Sequence, residues 1–219
     1  MYKALLTGGS RGIGKVIKDV LITRGVEVSA PSRQELNLCS NESICHYCSK
    51  YKSFDILINC AGINELASIE EIDEDCLQRM LQVNLTAQAM LIKYTSENMK
   101  KNKYGRIVNF ASIWCQFTKT RRVMYSAAKA GVCGLTRGVA VELAEYNVLV
   151  NAIAPGFVAT EMTYQNNTSE QIKAIENNLP IKRMAQPSEI AELVYFLISP
   201  QNTYITGQTI FIDGGFSCV

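Results

Sequence analysis

Several short segments of this chain are apolar on successive residues, Ile56-Leu57-Ile58 among them, where a half-exposed strand would alternate. Strands of that kind are covered on both faces, which is the condition of a parallel sheet packed between two layers of helices. Strands are expected at Ala4–Thr7, Val26–Ala30, Leu36–Leu38, Asp55–Asn59, Ile107–Ala111, Val148–Ala154 and Thr209–Ile212. Between them Ile13, Val16, Ile17, Val20 and Leu21 recur at helical spacing, giving a first helix one buried face. Further helices are expected near Asn41–Tyr51, Asp73–Met99, Met124–Tyr146, Ser169–Asn178 and Pro187–Ile198, the last opening on a proline whose missing N–H does no harm there. The series predicts an α/β fold, a doubly wound parallel sheet of about seven strands. With no repeat, linker or biased segment to divide it, residues 1–219 read as a single domain. One connection is too short. Only Pro31-Ser32-Arg33-Gln34-Glu35 separates the second and third strands, and a crossover between adjacent parallel strands needs a dozen residues or more. Either these strands are not adjacent, or they flank the first through a loop; in the order 3-2-1 they are adjacent, so the helix between strands 2 and 3 is reduced to a loop.

Composition narrows the class. With 47% hydrophobic and 19% charged residues the chain is neither disordered nor collagen-like. Lys plus Arg, 22, nearly balances Asp plus Glu, 20, which gives no general field for nucleic acid. Eight cysteines would suit a disulfide framework only in a secreted protein. Met1-Tyr2-Lys3 leads straight into the first strand, leaving no room for a signal peptide, and no apolar run reaches membrane-spanning length. The expectation is a reduced, cytoplasmic protein.

The first strand ends in Thr7-Gly8-Gly9-Ser10-Arg11-Gly12-Ile13-Gly14 and a helix follows. Glycines at that junction admit the close approach of a ligand, and the helix N-terminus supplies N–H donors, so a pyrophosphate is its natural ligand. The spacing departs from the G-x-G-x-x-G fingerprint, so the match to a Rossmann fold is one of mechanism. The second strand ends Ser29-Ala30-Pro31-Ser32-Arg33, without the acidic residue that binds an unphosphorylated ribose. Arg11, Arg33 and the Ser32 hydroxyl make a clamp for a 2′-phosphate, which favours NADP over NAD. The bland reading of both arginines is a solvated loop charge.

Ser112 follows the strand Ile107–Ala111, and thirteen residues later Tyr125-Ser126-Ala127-Ala128-Lys129 opens a helix. At i and i+4 Tyr125 and Lys129 share a helical face, and a nearby ammonium draws a phenol toward ionisation. A tyrosine so tuned exchanges protons with a carbonyl or alcohol oxygen. Such pairs also arise by chance on exposed helices; the weight here lies in their combination with the glycine turn and the strand-end serine.

Taken together, the glycine turn, Asn59-Cys60-Ala61-Gly62, Asn84, Ser112, Tyr125 with Lys129, and Pro155-Gly156 followed by Thr160 resemble the short-chain dehydrogenase/reductase family over essentially the whole chain. The resemblance implies Tyr125 as general acid in carbonyl reduction, Ser112 bonded to the substrate oxygen, and Lys129 on the nicotinamide ribose. It implies that Asn84 holds a water leading from Lys129 to solvent, and that hydride comes from the nicotinamide, so no metal is needed. For the cofactor it implies Gly8, Ser10, Arg11, Gly12, Ile13 and Gly14 at the phosphates, and Asn59, Ala61 and Gly62 on the adenosine and ribose side. Ile153, Pro155, Gly156, Val158 and Thr160 fall to the nicotinamide end. Two departures stand out: Cys60 replaces the second Asn of Asn-Asn-Ala-Gly, and Asn37 takes the place of an adenine-binding Asp. The C-terminal third, through Asp213-Gly214-Gly215, looks most like the 3-oxoacyl-[acyl-carrier-protein] reductase branch, which implies fatty acid biosynthesis, NADPH, a β-ketoacyl thioester and a homotetramer built on Asp73–Met99 and Met124–Tyr146. Lys100, Lys101, Lys103 and Arg106 then offer an attraction for an acidic carrier protein, or are simply the cationic end of a helix.

Against that branch, the segment from Ile113 to Met124 holds Trp114, Lys119, Arg121 and Arg122 where small residues are usual. They point to a bulkier or anionic ketone such as a keto-sugar, or else to a packed tryptophan and exposed arginines. Met162, Tyr164 and Asn166–Ile175 are expected to form a mobile lid. Cys45-His46-Tyr47-Cys48 resembles half a metal knuckle with no second pair, and reads better as a helix with Ile44, Cys48 and Tyr51 inward and His46 outside. A non-catalytic dinucleotide-binding scaffold would be expected to lack one of Ser112, Tyr125, Lys129 or Asn84, and all are present.

Overall fold

The computed structural model describes residues 1–165 and 167–219, the Met162 side chain excepted. Six strands, β1 (Lys3–Thr7), β2 (Glu27–Ser29), β3 (Ile56–Asn59), β4 (Gly105–Phe110), β5 (Val148–Pro155) and β6 (Thr209–Ile212), form one sheet in the order β2-β1-β3-β4-β5-β6. Every neighbouring pair is parallel. Around it lie α1 (Gly12–Thr23), α2 (Asn41–Lys50), α3 (Glu74–Leu81), α4 (Ala87–Lys101), α5 (Val123–Leu143), α6 (Glu161–Gln165), α7 (Ser169–Asn178) and α8 (Pro187–Ile198). Successive apolar strand residues serve opposite faces. Leu5, Leu57, Ile107 and Val150 pack with α2 and α4 residues such as Ile44 and Leu91, while Leu6, Ile58 and Val108 pack with Ile17 of α1 and Ile190 and Val194 of α8.

The sheet has one strand fewer than expected, because Leu36–Leu38 forms none. Backbone groups here bond within the segment: the N–H groups of Glu35 and Leu36 donate to Ser32 O (3.2 and 3.0 Å), and Ser40 N–H donates to Asn37 O (3.1 Å). Asn37 N–H meanwhile donates to the Ser43 hydroxyl (2.9 Å). The segment keeps only the side-chain half of a strand's work: Leu36 is buried in the core and Leu38 packs against it. Residues 30–40 hold no helix, and α2 then carries the chain across to β3. Within α2 the buried side chains are Ile44, Tyr47 and Cys48; Tyr51 is exposed, contrary to expectation, because its ring leans on Tyr47 (centroids 4.8 Å apart) from outside.

Two sequence-level basic features also change. Arg106 is buried, not a surface cation: its guanidinium donates to the carbonyls of Gly105, Asn147 and Asn202. Lys101 is paired with Glu97 at 2.7 Å. Both stand near the N-terminal end of β4, one strand length from Ser112. No described helix is long and apolar enough to cross a membrane, all eight cysteines are free, and the described residues contain no group of three or more His, Cys, Asp or Glu arranged to hold a metal.

Candidate active site

Strand order reverses between β1 and β3, and a crevice opens beyond the C-terminal ends of the strands at such a point. Here it is a cavity of about 790 Å3. Its floor is the glycine turn, where Gly8 has φ +75° and Gly12 φ +54°. A Cβ on Gly14 would run into the carbonyl of Gly8, so α1 can reach β1 this closely only without one. The helix also begins without a side-chain cap and without an acidic residue in its first turn, whereas α2, α3 and α7 are capped by Ser40, Asp73 and Thr168. The orphan N–H groups of α1 are therefore left facing the cavity, a fit for a diphosphate.

At the end of the cavity beside β2, Arg11, Ser32, Arg33 and Asn37 all line it. Among the described residues neither arginine has an ion-pair partner. Ser32 is less available than its position suggests: its N–H donates to the Glu35 carboxylate at 2.8 Å, and its N–H and hydroxyl together hold that carboxyl below its ordinary range. Asn37 spends its side-chain oxygen on Cys39 N–H (3.1 Å) and keeps its amide N–H groups. Asn59 does not reach the cavity. It is buried, donates to Asn109 (2.9 Å), and Asn109 donates in turn to Thr136 (3.0 Å), tying β3 and β4 to α5. Cys60, Ala61 and Gly62 line the cavity instead. Burial pushes the Cys60 thiol up to about 12, so it faces the site as a neutral group.

Ser112, Tyr125 and Lys129 converge at the other end. Ser112 leaves β4 and its hydroxyl accepts Trp114 N–H (3.3 Å), the start of a one-turn 3-10 helix over Ile113–Cys115. Lys129 is 3% exposed, donates to Phe110 O at 2.7 Å, and sits 5.5 Å from the Tyr125 ring centroid. Burial pulls the ammonium down to about 8. Burial also holds the Tyr125 phenol above its ordinary value, opposed by the Ser112 hydroxyl and the Arg122 charge. The i,i+4 spacing thus brings the pair together, and at the phenol desolvation outweighs the Ser112 hydroxyl and the Arg122 charge.

Asn84, fully buried on a π-helical turn over Gln82–Thr86, is held by hydrogen bonds to the backbone. Its amide donates to Ile63 O (2.9 Å) and Met80 O (3.0 Å), and its oxygen accepts Ile63 N–H (3.2 Å). A Cβ on Gly62 would lie 2.9 Å from that oxygen and 3.5 Å from Lys129 Nζ, so Gly62 lets the two side chains close on the same wall. Asn84 is placed to position that wall. Pro155, Gly156, Val158 and Thr160 also line the cavity, but Ile153 is buried in the core and is not among the lining residues. The segment expected to close over the site is α6 and α7; Glu161, Thr163 and Gln165 border the cavity, while Asn166 and the Met162 side chain lie outside the described residues. Sequence reasoning missed Cys60 as a lining residue and Glu35 as the partner of Ser32; the latter had a signal, a serine three residues before a glutamate.

A sequence profile of the family described as enoyl-(acyl carrier protein) reductase matches residues 41–217. The 3-oxoacyl-[acyl-carrier-protein] reductase of Vibrio cholerae is 36% identical, over 97% of this chain and 96% of its own length, and that of Vibrio harveyi 35%, over 99% and 97%. The first alignment runs to 234 positions against a chain of 219 residues, so the relative carries residues that this chain lacks. Among solved structures, 4-hydroxyisoleucine dehydrogenase complexed with NADH superposes with a TM-score of 0.95 at 27% identity, each chain covered completely. The chain belongs to the short-chain dehydrogenase/reductase family of oxidoreductases.

Proposed function

We propose that the protein is an NADPH-dependent ketone reductase acting on a 3-oxoacyl thioester. The observation that carries the chemistry is the convergence of Ser112, Tyr125 and Lys129 at one end of a cavity whose other end is an uncapped helix N-terminus. Gly8, Gly12, Ile13 and Gly14 hold the diphosphate, Ala61 and Gly62 the ribose side, and Pro155, Gly156, Val158 and Thr160 the nicotinamide end. A nicotinamide dinucleotide held by these residues would supply the hydride for the carbonyl carbon. Tyr125 donates its phenolic proton to the carbonyl oxygen, which the Ser112 hydroxyl holds by a hydrogen bond. A phenol kept above its ordinary pKa is fully protonated at neutral pH, the form that reduction needs. Lys129 spends one N–H on Phe110 O, leaving two for ribose hydroxyls and a charge to stabilise the phenolate left behind.

NADPH is supported by two unpaired arginines, Arg11 and Arg33, at the adenosine end. The thioester rests on the curated relatives, both 3-oxoacyl-[acyl-carrier-protein] reductases. The carrier protein is the implied partner, and the exposed Leu77 on α3 and Val141 on α5 suit the inferred homotetramer. Eight free thiols suit the cytoplasm. A second reading, a small polar ketone such as a keto-sugar, is favoured by the bulky wall of Trp114, Phe157 and Phe216 beside the site. The test is NADPH oxidation with acetoacetyl thioesters set against keto-sugars, repeated with NADH. Preferential turnover of thioesters is expected; a kcat/KM with NADH equal to or above that with NADPH overturns the cofactor assignment.

A further inference from the structure

Arg121 and Arg122 are neighbours in sequence with opposite surroundings. Arg121, in the left-handed region at φ +66°, turns outward and is consumed: it pairs with Glu71 at 2.9 Å and donates to Leu66 O at 3.2 Å. Arg122 stands three residues before Tyr125, and its guanidinium lies over the indole of Trp114, 5.1 Å from the ring centroid. Trp114 lines the cavity and is braced edge-on by Phe157 and Phe216, at 6.1 and 6.4 Å between centroids. Among the described residues Arg122 has no carboxylate in ion-pair range and its guanidinium makes no hydrogen bond, yet none of its nitrogens is sealed in unpartnered. Glu65 and Glu71 are already held by Arg79 and Arg121. Arg122 is not itself among the cavity-lining residues; its partly buried guanidinium, with free donors, is joined to the cavity by the Trp114 indole on which it stacks, and its charge reaches the Tyr125 phenol, a place where an anion entering the cavity would find charge-assisted donors.

We infer that Arg122 is an anion subsite of the ketone pocket, so that the ketone this enzyme reduces carries a carboxylate or a phosphate. The inference rests on the reading of Ser112 and Tyr125 as the carbonyl site, not on the thioester. If the substrate is a 3-oxoacyl thioester, the anion belongs to the thiol side of the thioester; if it is a small ketone, to the ketone itself. Charge-assisted hydrogen bonds to a planar guanidinium discriminate strongly against an uncharged analogue.

Trp114 is the chain's only tryptophan, so its fluorescence reports binding directly, without turnover. With NADP+ present, the protein is titrated with two matched pairs: acetoacetate against methyl acetoacetate, and dihydroxyacetone phosphate against dihydroxyacetone. One charged member is expected to bind at least tenfold more tightly than its neutral counterpart, and which pair responds separates carboxylate from phosphate. Arg122→Gln should reduce that preference at least tenfold, Arg122→Lys should restore part of it, and Arg121→Gln should leave it intact. Equal binding of charged and neutral members by the wild type, or a preference that survives Arg122→Gln, overturns the inference. Failure to reduce thioesters, by contrast, would overturn the proposed substrate and leave the charge preference standing.

Discussion

The two ends of the cavity are held in opposite ways. At the end holding Ser112, Tyr125 and Lys129 the buried polar side chains are tied into the framework: Asn84 to Ile63 and Met80, and Lys129 to Phe110. At the end beside β2, Arg11 on the glycine turn and Ser32, Arg33 and Glu35 on the turn after β2 are exposed. Proton transfer depends on groups fixed to within fractions of an ångström, and burial supplies that rigidity while shifting their pKa values. Cofactor choice depends on the sum of exposed charges, each screened and worth little alone. Changes at the first end should therefore be large and coupled to stability, and changes at the second small and sensitive to salt.

Lys129→Met should give the largest effect, a loss of at least about a hundredfold in kcat. It also carries a pH signature. The buried ammonium titrates at about 8 in the folded chain against an ordinary 10.5, so between these values the unfolded chain binds the extra proton. The cost of burying the charge is complete below pH 8 and relieved as pH rises to 10.5. Over that window the wild type should gain on the order of 3 kcal/mol of stability relative to Lys129→Met. Parallel denaturation curves at the two limits, or a difference of opposite sign, would contradict the assignment.

Asn84→Ala comes next. It strips partners from both backbone groups of Ile63, which should lower stability by about 2 kcal/mol. It should also reduce kcat by tenfold or more as the wall beside Lys129 loosens. Urea denaturation unchanged within about 0.5 kcal/mol would show that this end is less tightly determined than its hydrogen bonds indicate. Smallest is Glu35→Gln, which keeps an oxygen for the Ser32 N–H and removes a negative charge from the neighbourhood of Arg33. The affinity for NADP+ relative to NAD+ should rise about threefold at low salt and converge on wild type as salt is added. An unchanged or reduced ratio at low salt would count against any role for that carboxylate.

The same contrast marks how far the sequence could be read. Ile56-Leu57-Ile58 announces a doubly covered strand because burial on both faces leaves its mark on every residue. Ser112, Tyr125 and Lys129 are legible because their spacing is enforced by one strand end and one helix face. Leu36–Leu38 misleads: Leu36 is buried and Leu38 packs partly buried against the core, as in a strand, and the destination of the backbone N–H groups of Leu36 and Ser40, taken by Ser32 and Asn37, marks a turn. The pairing of Asn59 with Asn109 follows from the register of β3 on β4, which spacing along the chain does not encode. The rise of the Tyr125 phenol depends on depth of burial, and the split between Arg121 and Arg122 on a single left-handed backbone angle.

Tyr125 is where these lines meet, and its phenolic oxygen can be removed without altering the ring. The most direct measurement is therefore the steady-state rate of NADPH oxidation with an acetoacetyl thioester by wild-type protein and Tyr125→Phe, at equal cofactor occupancy established by binding. A fall of at least about a hundredfold in kcat with the dinucleotide still bound is the predicted result. Near-wild-type turnover by Tyr125→Phe would contradict it and remove the phenol from the chemistry.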